Sequence, residues 1–168
     1  MREISMRARC AGILGATLLL STGFILSANS QTPPAGGLNA ARQAVDERKA
    51  VYKLIGASFK PIGNVLKGST QYDAATIQKS IDRVVFLSGL LDEAFPENSN
   101  LGDPETKAKA DIWTNHADFE KKEKNFQTHV LALQKVNETE KGATEAFKTA
   151  AAAVGQDCKA CHDDYRLK

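Results

Sequence analysis

The sequence predicts an all-α fold, an antiparallel four-helix bundle, and three observations predict it. Four stretches repeat apolar residues at intervals of three and four, as one buried face of a helix requires. No stretch alternates apolar and polar residues like a half-buried strand, and β-branched runs are few. The boundaries between the four stretches carry breaking or capping residues, so each connection is compatible with the next helix turning back along the last.

The chain opens with Arg2, Arg7 and Arg9, an apolar run from Ala11 to Leu26, and small residues up to Ser30. This is the pattern of a secretory signal peptide over residues 1–30, with Ala28 and Ser30 suited to the cleavage site and Gln31 as the first mature residue. An uncleaved anchor is the alternative. Against it, the run is broken by Gly12, Gly15 and Gly23 and falls short of the roughly 20 apolar residues of a membrane-spanning helix. Cys10 precedes the run, which does not suit lipid attachment.

Removing residues 1–30 lowers Lys plus Arg from 22 to 19 and Asp plus Glu from 20 to 19, so the mature chain is formally neutral. That balance gives no reason to expect nucleic acid as a partner. Both methionines, Met1 and Met6, leave with the signal, and only Cys158 and Cys161 remain of three cysteines. The remaining 138 residues suffice for one domain with its own core.

Residues 31–38 form a Pro/Gly-rich leader without periodicity, read as a flexible arm before a domain spanning 39–168. The first predicted helix, 39–67, carries Val45, Tyr52, Ile55, Phe59, Ile62 and Leu66 on one stripe, with Arg48 among them. Pro61 interrupts it and should bend or tighten its last turns. Gly68-Ser69-Thr70 ends it, and Asp73 caps a second helix, 73–94, with Ile77, Ile81, Val84, Leu87 or Ser88, Leu91 and then Phe95 inward. After the turn-rich 96–102, Asp103-Pro104 reads as an N-cap and first-turn proline starting a third helix at about 104. Its inward residues are Ile112, His116, Phe119, Phe126, Val130 and Leu133, and 120–124 is a charged solvent face. Thr139 caps the fourth helix, whose Phe147, Ala150, Val154, Cys158, Cys161 and Tyr165 keep the helical period.

The chemistry gathers at Cys158-Lys159-Ala160-Cys161-His162. On a helix, these two cysteines and the histidine stand at i, i+3 and i+4 and point the same way. Two thioethers can then hold a haem edge while the imidazole reaches the iron, which is the c-type haem attachment pattern. A thioredoxin-like dithiol would sit beside a βαβ pattern, and a zinc site would need further ligands close in sequence; neither is present, since only His116 and His129 remain. Ala150 to Ala153 and Gly155 would admit a flat macrocycle close to the backbone, or serve simply as good helix formers.

A signal peptide, four helices and this motif at the end of the last one, continuing as Asp163-Asp164-Tyr165-Arg166, resemble the class II c-type cytochromes, in particular the cytochrome c′ family. Arg48-Lys49-Ala50-Val51-Tyr52, Lys67-Gly68…Tyr72-Asp73 and Ile112-Trp113 extend the resemblance over essentially the whole mature chain. It implies one covalently attached haem c, thioethers at Cys158 and Cys161, and His162 as the proximal iron ligand. It also implies that Arg166, four residues on, is the basic residue kept beside that histidine, and that the mature protein is periplasmic.

Registering the first helix on Lys67-Gly68…Tyr72-Asp73 puts Tyr52 where low-spin members of the family supply a methionine. The mature chain has no methionine, so that thioether ligand is excluded by composition. His116 on the apolar stripe and His129 off it are the remaining candidates for a sixth ligand; a hydrogen-bonded or surface histidine is the commoner role. Five-coordinate iron with Tyr52 over its distal face follows, the phenol either restricting and hydrogen-bonding a ligand or only packing. Arg48, one turn earlier, is either a partner for a haem propionate or a solvated surface arginine.

The resemblance thus implies a high-spin mono-haem protein that binds nitric oxide and carbon monoxide, exchanges single electrons with an unidentified periplasmic redox partner, and is no enzyme. A low-spin electron carrier with a non-Met sixth ligand is the alternative. A peroxidase-type enzyme is a further one, for which the first helix offers no distal acid or base. The family's habit of pairing through its first two helices makes Val51, Leu54, Val85 and Leu90 candidates for a homodimer interface. No membrane insertion is expected after signal cleavage.

Overall fold

The computed structural model describes residues 35–102 and 104–168; the expected signal peptide, the start of the leader and the Asp103 cap lie outside the described residues. Helix α1 spans Ala35–Leu66, starting four residues before the predicted helix and so taking in the end of the leader. It continues through Pro61, with Val45, Ile55, Ile62 and Val65 buried. A Schellman arrangement closes it: Gly68, at φ 67°, donates its N–H to Val65 O, and the Ser69 N–H reaches Asn64 O. Gly68 is there because its positive φ costs no Cβ clash.

Helix α2 runs Ala74–Ser88, and its predicted cap is made by Asp73, whose carboxylate accepts the Thr76 N–H at 2.8 Å. It stops six residues before the predicted end. Short 3-10 turns at Leu91–Glu93 and Glu97–Ser99 follow, and Leu91 and Ala94 keep their apolar contacts from there. The third predicted helix does not start at 104: Pro104 lies in a turn, a four-residue helix α3 forms at Asp111–Thr114, and the long helix α4 spans His116–Glu140. The residues between are held by side-chain contacts described below, which explains why the cap-and-proline signal did not propagate a helix.

The cap of the last helix also moves. Thr139 remains inside α4, its hydroxyl donating to Lys135 O, and α4 ends on Lys141 at φ 47°. Helix α5, Glu145–Tyr165, is capped by Thr144, whose hydroxyl accepts the Phe147 N–H at 3.2 Å. Its buried residues are Phe147, Ala151, Val154 and Tyr165; Ala151 is the fully buried alanine, while Ala150 is half-buried beside the core.

Hydrogen bonds between helices give their directions. Along α2 and into the turn after it, Gln78, Asp82, Ser88 and Asp92 meet Asn137, Gln134, Gln127 and Lys124 in turn, so α2 and α4 are antiparallel. His129 with Asp157 and Lys122 with Asp164 give the same sense for α4 and α5. With α1 against α2 and, over a shorter length, α5, the four long helices close an antiparallel bundle. Tyr72 packs edge-on against Phe147 and donates to Asn137 Oδ1 at 2.7 Å, tying the first connection to the core. Among the described residues, no helix is long and apolar enough to cross a membrane.

Two apolar clusters fill the bundle. The larger takes residues from all four long helices, from Ile55 to Val154, and Tyr52 and Cys158 pack against it. The smaller, at one end, comprises Ile112, Phe119 and Tyr165, with Phe95, Trp113 and Cys161 against it. Of the expected interface residues, Leu54 and Leu90 are exposed, whereas Val51 and Val85 are half-buried against the core. Phe86, 69 % exposed on α2, is an apolar surface residue that the helical period left unnoticed.

Candidate functional site

The end of α5 that carries Cys158, Cys161 and His162 is locked from three sides. Tyr165 is buried with its ring edge-on to Phe119; its hydroxyl donates to Asp118 at 2.6 Å and accepts from the Asn115 amide. The Lys109 ammonium donates to the Asp163 and Asp164 carbonyls, satisfying acceptors that a helix C-terminus leaves open. Beyond the helix, Arg166 pairs with Ala108 in an antiparallel bridge, with Lys109 N–H to Tyr165 O and Leu167 N–H to Lys107 O.

That bridge corrects one expectation. α5 ends at Tyr165, and Arg166 has an extended backbone (φ −120°, ψ 132°), so helical spacing does not put its side chain on the His162 face. Its charge still reaches the histidine. The exposed His162 imidazole is held below its ordinary value first by partial desolvation and then by Arg166.

The two thiols are free and half-buried, continuing the inward stripe of α5. Burial, with Glu123 and Cys158 adding, pushes Cys161 up to about 11; burial and Asp157 raise Cys158. Both are therefore neutral at neutral pH, the reverse of the lowered thiol pKa that a disulfide-exchange motif needs. Among the described residues, no group of three or more His, Cys, Asp or Glu is arranged to hold a metal ion as a zinc site would.

Arg48 is not a solvated surface residue. It is 3 % exposed, and its guanidinium donates to Ser99 Oγ at 2.7 Å, Ser99 O at 3.1 Å and Thr106 Oγ1 at 3.1 Å. It lies 5.0 Å from the Phe95 ring centre and 5.6 Å from that of Trp113. Desolvation lowers its pKa, yet a guanidinium stays charged. Arg48 thus fastens the 95–106 connection to α1 and holds Phe95 6.1 Å from the Tyr52 ring.

Tyr52 is half-buried on α1, one turn beyond Arg48, and faces the motif. Its phenol is raised well above 10 by burial, then by Glu123 and Cys161, which oppose a phenolate once they ionise. A phenolate is disfavoured there. Glu123 corrects a second expectation: it lies in the run read as a solvent face, but is 9 % exposed, and its Oε1 is buried without a hydrogen-bond partner. Burial, with Asp92 and Glu120 adding, pushes its carboxyl up to about 8. On α4 it stands between Phe119 of the smaller cluster and Phe126 of the larger, as Cys158 and Cys161 stand between the same clusters on α5.

The histidines separate. His116 is exposed at the start of α4 beside Glu120, not on the buried stripe, and His129 Nδ1 is 2.6 Å from Asp157 at the α4/α5 flank. The residues present fit a haem on three counts. Two neutral thiols lie one turn apart on an inward stripe, an imidazole follows at once, and a seam between two apolar clusters contains a buried polar atom lacking a partner. A helical bundle with this attachment motif on its last helix is a haem protein of the c type.

Comparison with known proteins agrees. The profile of the cytochrome C′ family matches residues 43–166. The cytochrome c′ of Alcaligenes xylosoxydans xylosoxydans is 34% identical over 125 residues, covering 74% of this chain and 94% of that one. That of Rhodopseudomonas palustris is 31% identical over 163 residues, covering 97% and 99%. A cytochrome c-556 of Agrobacterium fabrum is 31% identical over 135 residues, covering 80% and 87%. Among solved structures, a ferrous variant of the Alcaligenes xylosoxidans protein with bound NO superposes with a TM-score of 0.68 at 30% identity, covering 76% of this chain and 96% of that one. A carbon monoxide-bound variant of it superposes at 0.67 and 31%, covering 76% and 97%. The chain belongs to the cytochrome c′ family. That family binds haem c covalently, and Cys158 and Cys161 lie where its attachment motif is expected.

Proposed function

We propose that the chain is a periplasmic, high-spin, mono-haem cytochrome c′ whose five-coordinate iron binds nitric oxide and carbon monoxide and exchanges single electrons, without being an enzyme. In this reading Cys158 and Cys161 form the thioethers, His162 is the proximal ligand, and Tyr52 lies on the opposite face. A haem held by these residues would supply an iron able to take up a small gas and to exchange one electron. The chain's residues orient it, exclude water around it and limit what reaches it.

The observation that carries the reading is the ligand side itself. No methionine follows Met6, Tyr52 is disfavoured as a phenolate, and His116 and His129 are engaged at the outside of the bundle. The NO- and CO-bound relatives support the choice of gases. Arg48 fits a propionate partner less well, since its guanidinium already serves Ser99 and Thr106. Arg166, exposed and acting on His162, fits a role beside the proximal ligand.

Absorption and EPR spectra of the purified holoprotein test the reading. A high-spin ferric signal is expected, and a low-spin signal overturns it in favour of a six-coordinate electron carrier. For the proposed homodimer, Leu54, Phe86 and Leu90 supply exposed apolar surface on α1, on α2 and just beyond it. Sedimentation at micromolar concentration giving only monomer refutes that part.

A further inference from the structure

His162 opens the last turn of α5. A helix leaves its last four carbonyls without intrahelical partners, and here those belong to His162, Asp163, Asp164 and Tyr165. Lys109 serves three of them. Its ammonium donates to Asp163 O at 3.3 Å and to Asp164 O at 2.8 Å, and its backbone N–H donates to Tyr165 O at 3.0 Å. A residue 54 positions before Asp163 thus supplies the C-terminal cap of this helix.

The cap is electrostatic as well as geometric. Asp163 and Asp164 put negative charge at the end of the helix that is already negative, and the Lys109 ammonium brings the opposite charge there. Lys159 pairs with the Asp163 carboxylate, and Lys122 with that of Asp164 at 3.0 Å, so those two lysines are spent on side chains. The remaining holds act further along: the Tyr165 hydroxyl on Asp118 and Asn115, and the Leu167 N–H on Lys107 O at 2.8 Å. They fix the Tyr165 ring and the tail beyond the helix. A metal-bound histidine is ordinarily oriented by a hydrogen bond from its second ring nitrogen. Among the described residues, no hydrogen bond from the chain reaches the His162 ring. The position of the imidazole is left to the backbone of the last turn, and that backbone to its cap.

We propose that Lys109 is a positioning residue for the proximal ligand: by capping α5 from outside, it holds the turn that carries His162 and keeps the imidazole in one position toward the iron. The inference rests on His162 as the proximal ligand, as read above, and adds what governs the strength of that bond. Without the cap the turn frays, the imidazole samples several positions, and its hold on the iron weakens.

The test is the resonance Raman iron–histidine stretch of the ferrous holoprotein, with amide exchange over residues 162–165 measured alongside, in wild type, Lys109→Met, Lys109→Arg and Asp73→Ala. Lys109→Met keeps the length of the side chain and loses its donors. Its stretch should fall and broaden, and exchange over the last turn should quicken roughly tenfold, the worth of one hydrogen bond to a charged group. Lys109→Arg should restore both, since a guanidinium can still donate to two carbonyls. Asp73→Ala removes the α2 cap at the other end of the bundle and should leave the band where wild type has it. Should Lys109→Met not fold, Lys109→Gln, uncharged and too short for both carbonyls, takes its place. A band unmoved in Lys109→Met, not restored in Lys109→Arg, or moved as far by Asp73→Ala overturns the inference and leaves His162 as the proximal ligand. A wild-type ferrous protein without an iron–histidine band overturns the inference together with the five-coordinate reading.

Discussion

Replacing Arg48 with alanine removes the buried cation that joins α1 to the connection between α2 and α4, where Arg42 and Lys49 reach Glu105 only at the surface. Three hydrogen bonds are lost, to Ser99 Oγ, Ser99 O and Thr106 Oγ1, together with the stacking of the guanidinium on Phe95 and Trp113. The acceptors are not orphaned. Ser99 Oγ still donates to Pro96 O, Ser99 O still accepts the Leu101 N–H, and Thr106 Oγ1 still accepts the Ala108 N–H. The cost is therefore the net value of each bond, about 1 kcal/mol, rather than the larger penalty for a stranded group. Two cation–π contacts add roughly 0.5–1 kcal/mol each. Contributions sharing one guanidinium do not add fully, so Arg48→Ala should cost about 3 kcal/mol. Arg48→Lys, which keeps the charge but cannot reach Ser99 and Thr106 together, should cost about 2 kcal/mol. Urea unfolding of the holoprotein, followed by far-ultraviolet circular dichroism, measures both, and faster amide exchange over residues 95–108 shows where the loss lies. A cost below 1 kcal/mol for Arg48→Ala would refute the idea that this buried cation fastens the connection.

Three further outcomes are expected. Glu123→Gln should change how stability depends on pH. The folded carboxyl titrates near 8 against an ordinary 4.5, so the folded state binds the extra proton between those values, and wild-type stability falls as pH rises through that window. Relative to the Gln variant, wild type should lose on the order of 2–3 kcal/mol between pH 5 and pH 8, and parallel stability curves would contradict this. Tyr52→Ala should speed and tighten carbon monoxide binding roughly tenfold, the equivalent of about 1.4 kcal/mol, with covalent haem retained; unchanged stopped-flow kinetics would make Tyr52 a packing residue only. Lys141→Gly should raise the urea midpoint by an amount worth about 0.5–1 kcal/mol, because Lys141 closes α4 at φ 47°, where a side chain is disfavoured.

Much of this was legible in the amino-acid order because burial enforces a period. Ile77, Ile81 and Val84 on α2, and Phe147, Val154 and Tyr165 on α5, are inward as their spacing predicts, and Asp73 caps where a capping residue precedes a periodic run. The attachment motif was legible because three residues of rare type stand together. What escaped depends on contacts distant in sequence. Ser99 and Thr106 sit in a stretch without periodicity and gain their role from an arginine 51 and 58 residues earlier. Glu123 lies among charged neighbours, and only the position of Phe119 and Phe126 on either side turns it inward. His116 falls outside because the long helix begins there, so the stripe has not yet met the core. Thr144 rather than Thr139 caps α5 because the chain turns at Lys141-Gly142, a break that the earlier threonine precedes.

The bridge between Ala108 and Arg166 has a bearing on maturation. It fastens the last residues of the chain to a connection some 58 positions earlier, and α5 brings Phe147, Ala151 and Val154 into a cluster otherwise built from residues 55–133. The core in this form is therefore incomplete without α5, and with α5 in place the two thiols are half-buried. In the proposed reading, thioether formation and the docking of α5 therefore draw on the same two residues, Cys158 and Cys161.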